Sequence, residues 1–76
     1  MTIVYSRSSL KFLKKQNAET RNRIVAAIEN LPNGNVKKLQ GIELYRLRVG
    51  DFRVVYNSDG VVLTVVKIGS RGQIYK

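Results

Sequence analysis

The sequence has 76 residues, with fourteen lysines and arginines against five aspartates and glutamates, a formal net charge of +9, and neither cysteine nor histidine. That length predicts one small domain spanning 1–76, and the missing residue types exclude disulfides, thiolate metal sites, a His–His ribonuclease pair and any histidine-based triad. The charge predicts attraction to a polyanion, either nucleic acid or an acidic protein.

Ile3, Val4 and Tyr5 predict a short first strand. The hydroxyls within 6–9 offer a helix cap, and Leu10, Phe12 and Leu13 give a short helix ending near Lys14-Lys15. Asn17 caps a second helix. On it Ile24, Ile28 and Leu31 recur at helical spacing and Val25 widens the stripe, while Arg21, Asn22, Glu29 and Asn30 fall largely on the other side. Pro32 and the Asn33-Gly34 pair end it. The two helices read as a hairpin whose apolar stripe requires a sheet.

Residues 44–49 predict a strand, Gly50-Asp51 a tight turn, and 52–57 the return strand. Ser58-Asp59-Gly60 makes the next turn. The near-continuous apolar run of 61–68 predicts a third strand, central and buried on both faces. Gly69-Ser70-Arg71-Gly72 predicts another turn, leading into Gln73-Ile74-Tyr75. The order is β-α-α-β-β-β, an α+β fold.

Strand alternation puts Tyr45, Leu47 and Val49 on one face and Arg46 and Arg48 on the other. A two-residue turn at Gly50-Asp51 sets Val49 opposite Phe52 and Arg48 opposite Arg53. The apolar face then continues through Phe52, Val54 and Tyr56, and Arg53 joins Arg46 and Arg48. Like charges opposed on a sheet are destabilising, so the fold itself gives no reason for the cluster. One reading is a solvated basic face, screened by water and salt. The functional reading is a phosphate cradle, because a guanidinium grips phosphate through two parallel hydrogen bonds. Arg71 falls in the last turn. Tyr75 follows it with a phenol that can transfer a proton or stack on a base.

The carboxylates Glu19, Glu29, Glu43, Asp51 and Asp59 are scattered, so no two-metal centre is predicted. No cofactor is expected, and any catalysis falls to Arg, Lys, Tyr, Ser or Gln. No apolar stretch reaches membrane-span length, and the N-terminus lacks the basic-then-apolar order of a secretory signal. A soluble, cytoplasmic protein with no membrane partner is expected.

Three segments are specific in combination: Lys38-Leu39-Gln40-Gly41, then Leu44-Tyr45-Arg46-Leu47-Arg48-Val49-Gly50-Asp51-Phe52-Arg53-Val54-Val55-Tyr56, then Ile68-Gly69-Ser70-Arg71-Gly72-Gln73-Ile74-Tyr75. Together they resemble the RelE/ParE superfamily of type II toxin–antitoxin toxins, over nearly the whole chain. The resemblance implies a RelE-like, microbial-ribonuclease-like fold: an N-terminal strand, a helical hairpin and an antiparallel sheet. It implies a toxin that cuts messenger RNA in the ribosomal A site without a metal. The RNA's own 2′-hydroxyl attacks the adjacent phosphate, leaving a 2′,3′-cyclic phosphate and a 5′-hydroxyl.

Carried over residue by residue, the catalytic positions are Arg48, Arg53, Arg71 and Tyr75. Arg53 matches the arginine that stabilises the phosphorane, Arg71 the one that helps the leaving oxygen, and Tyr75 the tyrosine that orients or stacks the substrate. Arg46 and Arg48 match basic positions that contact or activate the RNA, and Arg46, Lys67 and Lys38 make up the RNA-binding set. A cognate acidic antitoxin, messenger RNA and the ribosome are the implied partners.

Three departures matter. The RelE branch carries lysines where Arg46 and Arg48 stand. Arginine stays protonated, so proton removal from the 2′-hydroxyl is unassigned, with Lys67 and Tyr75 as candidates. Ser70 precedes Arg71 where relatives often carry histidine or lysine. The sequence ends at Lys76, before the C-terminal helix of some relatives. The alternative functions are a ParE-like, non-enzymatic inhibitor of DNA gyrase and a catalytically inactive member that binds antitoxin or RNA. ParE-like members generally lack the full basic and tyrosine site, whereas Arg53, Arg71 and Tyr75 are all present here.

Overall fold

In the computed structural model, which describes residues 2–70, the chain runs through β1 (Thr2–Tyr5), α1 (Arg7–Lys14), α2 (Ala18–Glu29), β2 (Asn35–Lys38), β3 (Tyr45–Val49), β4 (Phe52–Ser58) and β5 (Val62–Ser70). Both helices start at the caps their sequence offers. Ser6 Oγ accepts from the Ser9 amide at 3.1 Å, and Asn17 Oδ1 from the Thr20 amide at 2.8 Å, satisfying donors that the first helical turn leaves orphaned. Arg21 ties the helices together. Its Nε donates to the Leu13 carbonyl at 3.2 Å and its Nη2 to the Gln16 carbonyl at 2.8 Å. A guanidinium thus sits at the C-terminal end of α1, where positive charge is favoured.

The strands lie in the order β1-β5-β4-β3-β2. The pairs from β2 through β5 are antiparallel, and β1 joins beside β5 in parallel. Gly50 takes φ +59° while no described non-glycine residue has positive φ, the combination of a II′ hairpin turn. The register follows as the sequence predicts, with Val49 opposite Phe52 and Arg48 opposite Arg53. Leu47, Val49, Val54, Tyr56, Leu63, Val65 and Ile68 form the buried sheet side of the core, which Leu13, Ile24 and Ile28 close from the helices. Phe12 meets Phe52 edge-on at 5.9 Å, and Tyr45 stacks on Tyr56 at 5.5 Å.

The structure departs from the sequence reading at three places. A fourth C-terminal strand, β2, precedes the expected three. Asn35-Val36-Lys37-Lys38 has one apolar residue and no readable period, and it becomes a strand by pairing with β3. Gly69 and Ser70 extend β5 opposite Arg53 and Phe52 rather than turning; Arg71 through Tyr75 lie outside the described residues. The strand buried on both faces is β4, in the middle of the sheet, with 53–56 all buried. β5 is interior but exposes Val66 and Lys67.

Val66 lies at a bulge. Val55 opposes Lys67 and Tyr56 opposes Val65, which leaves Val66 with no cross-strand partner on β4. The bulge re-aims local carbonyls, and α1 docks on them. The Val65 carbonyl accepts from the Ser6 amide at 2.9 Å and Ser9 Oγ at 3.3 Å. The Val66 carbonyl accepts from Ser6 Oγ at 2.7 Å and Ser8 Oγ at 3.3 Å.

A candidate phosphate-binding face

Both helices cover the apolar side of the sheet, so the residues that alternate with the core on β3 to β5 face away from them. Cross-strand partners share a face, and the register therefore draws two rows across the strands. One runs Lys37, Arg46, Val55, Lys67; the other runs Asn35, Arg48, Arg53, Gly69. Of the expected site residues, Arg46, Arg48, Arg53 and Lys67 are brought together. Arg71 and Tyr75 lie outside the described residues.

Burial within the cluster is uneven. Arg48 and Lys67 are exposed and Arg46 is half-buried. Arg53, expected beside them on the same face, is on that face and only 6% exposed. It sits on β4, the middle strand, and its neighbour Val55 on the same face is buried as well. Its Nη1 donates to the Phe52 carbonyl at 3.4 Å, a long contact to a neutral acceptor. Nε of Arg46 is buried with no hydrogen-bond partner among the described residues. No described carboxylate comes within ion-pair distance of Lys37, Arg46, Arg48, Arg53 or Lys67; the ion pair among described residues joins Lys38 to Glu43 at 3.8 Å.

That pair bears on one expected RNA contact. Lys38 opposes Tyr45 and so points to the other side of the sheet, while Lys37 opposes Arg46. Sequence reasoning missed Lys37 because it missed β2. Pairing 35–38 with 45–48 is the signal that would have found it. Tyr5 and Tyr56, whose phenols burial pushes above their ordinary pKa with smaller contributions from Glu29 and Tyr45 respectively, belong to the core side. Among the described residues no three carboxylates converge as metal ligands, and no helix is long and apolar enough to cross a membrane.

A helix-backed sheet whose other face gathers Lys37, Arg46, Arg48, Arg53 and Lys67 defines a small α+β protein with a strongly basic sheet face. A sequence model described as "ParE toxin of type II toxin-antitoxin system, parDE" matches residues 3–75. The chain belongs to this family, within the RelE/ParE superfamily, and is a toxin of a type II toxin–antitoxin system. No curated protein matches it.

Solved structures agree with the fold. A chain of the RelB-RelE antitoxin-toxin complex from Methanococcus jannaschii is 27% identical with a TM-score of 0.76, the match covering 95% of this chain and 94% of that one. A chain of the archaeal RelE-RelB complex from Pyrococcus horikoshii OT3 is 25% identical with a TM-score of 0.75, covering 95% and 96%. The RelBE2 toxin-antitoxin complex from Mycobacterium tuberculosis, at 17% identity, 92% and 96% coverage and a TM-score of 0.69, shares the fold.

Proposed function

We propose that this toxin cleaves messenger RNA on the ribosome by intramolecular attack of the RNA's 2′-hydroxyl. The observation that carries the reading is Arg53: a buried guanidinium with no carboxylate partner among the described residues, in register with Arg48. A buried cation without a counter-ion is costly, and an anion entering beside it relieves that cost. In water-poor surroundings each charge contact is also stronger than at the surface.

In the reaction the 2′-oxygen forms a bond to phosphorus and the bond to the 5′-oxygen breaks. The 2′-hydroxyl proton goes to a base and the departing 5′-oxygen takes one up. Arg53, with Arg48 opposite, holds the extra negative charge of the phosphorane, the preorganised stabilisation that dominates many such barriers. Arg71 supports the leaving oxygen and Tyr75 orients or stacks the substrate. Arg46 and Lys67 hold flanking RNA. Proton removal falls to Lys67 or Tyr75, because guanidinium does not give up its proton.

A cognate acidic antitoxin is the second partner; the similar archaeal chains are solved as RelB–RelE complexes. Mapping 5′ ends of cellular RNA after induction tests the reading, with new cuts inside translated codons as the expected result. A 2′-methoxy nucleotide at the cut site should block cleavage, and cutting that persists there would refute 2′-hydroxyl attack. The match to the ParE family model favours a second reading, non-enzymatic poisoning of DNA gyrase. It predicts DNA damage with no new RNA ends.

A further inference from the structure

Lysine on an edge strand commonly discourages pairing with another chain. β2 carries two, and that role does not distinguish them; the register does. Lys38 opposes Tyr45 and pairs with Glu43. Lys37 opposes Arg46, is exposed, and has no described carboxylate within ion-pair distance. Lys37, Arg46 and Lys67 thus stand in one row at right angles to the strands, interrupted by Val55. At about 4.8 Å per strand the row is roughly 14 Å long. It runs beside the row of Arg48 and Arg53, two residues along each strand. A row of that length is wider than one phosphate group, and its cations present like charge to one side.

We propose that Lys37 is a positioning residue that holds a messenger-RNA phosphate flanking the scissile one, leading the strand from Arg48 and Arg53 out over the β2 edge. The proposal rests on the nuclease reading above. An ammonium binds phosphate as a point charge with little demand on direction. That suits a contact which sets the path of the backbone and leaves the chemistry to the arginines. Such contacts fix register and carry no base specificity.

The test is cleavage of messenger RNA on programmed ribosomes by the parent, K37Q, K37R, K38Q and K11Q. K37Q should raise the half-saturating toxin concentration several-fold, leave the single-turnover rate at saturation unchanged, and lower the log–log salt slope of binding by about one. K37R should restore affinity and slope. K38Q removes the same charge one residue away and should have a smaller effect, and K11Q, on the outer side of α1, should leave cleavage at the parental level. On vacant ribosomes K37Q should bind like the parent.

The inference is overturned if K37Q matches the parent, if K38Q loses as much as K37Q, or if K37Q binds vacant ribosomes equally poorly, which would place the contact on ribosomal RNA. It is also overturned if only the saturated rate falls. A parent that cuts nothing removes the nuclease reading itself, an outcome distinct from all of these.

Discussion

Arg53 combines a buried position with a positive charge and a facing arginine, and each of these affects what a substitution does. Surface changes usually alter stability by less than about half a kcal/mol, but that rule does not apply here. Truncation to alanine removes a packed stem as well as a charge. Arg53→Met keeps much of the volume and deletes the charge. Replacing a buried charge with an apolar group of similar size is often neutral or stabilising, and relief of repulsion from Arg48 acts in the same direction. Arg53→Met should therefore melt at or above the parental temperature while toxicity falls on the order of a hundredfold, the usual loss for one transition-state charge contact. Thermal melts and growth assays check the two halves. A folded Arg53→Met protein as toxic as the parent would sink the site assignment. Arg71→Ala should lose toxicity to a similar extent.

The element that sets the site is the β3–β4 hairpin, and its register depends on Gly50. At φ +59° a side chain is strained, and a Cβ there would lie 2.6 Å from Arg23 Nη2. The guanidinium can swing away, whereas the backbone strain stays. Gly50→Ala should cost about 1–2 kcal/mol, measured by urea unfolding. Adding Arg23→Ala should recover little of that loss; full recovery would mean the clash, and not the dihedral angle, was the cause.

The β4–β5 turn is held differently. Asp59 Oδ1 accepts from the Val61 and Val62 amides at 2.9 and 2.8 Å. The Val62 and Val61 amides, in that order, hold its carboxyl below the usual range, against a smaller desolvation effect. A depressed folded pKa contributes stability that is present above the unfolded value and is lost as pH falls through the folded one. Asp59→Asn should flatten the acid limb of the stability–pH curve below about pH 4. Denaturant midpoints across that range test it, and an unchanged acid limb would count against the turn.

At the scale of the whole molecule, a +9 charge on 76 residues opposes compaction by self-repulsion. A polyanionic partner relieves that repulsion and stabilises whichever state it binds. The outer side of α1 adds an apolar element, since Leu10 is 51% exposed between Arg7, Lys11 and Lys14. An acidic antitoxin product should copurify with the toxin and raise its Tm. Because ordering a flexible partner requires apolar anchors as well as charge, the complex should weaken with salt and yet persist at high salt. Failure to form any complex at low salt would contradict this.

Local chemistry was legible in the residues. The Ser6 and Asn17 caps, the Ile24 and Ile28 stripe and the Gly50-Asp51 turn all depend on neighbours a few positions away. Two-residue alternation was then enough to place Arg46, Arg48 and Arg53 on one face. The resemblance to the RelE/ParE superfamily was also carried by contiguous segments, and the family match agrees with it.

Contacts between distant segments decided the rest. β2 exists because β3 offers it an edge, and that pairing puts Lys37, not Lys38, beside Arg46. β1 lies parallel to β5, sixty residues away, and the carbonyl of Val66 at the bulge there accepts from the hydroxyls of Ser6 and Ser8. Arg53 is buried on β4, which only the strand order makes the middle strand. Strand order and register are settled by which long-range pairings bury the apolar face, and no window of sequence contains both partners of such a pair.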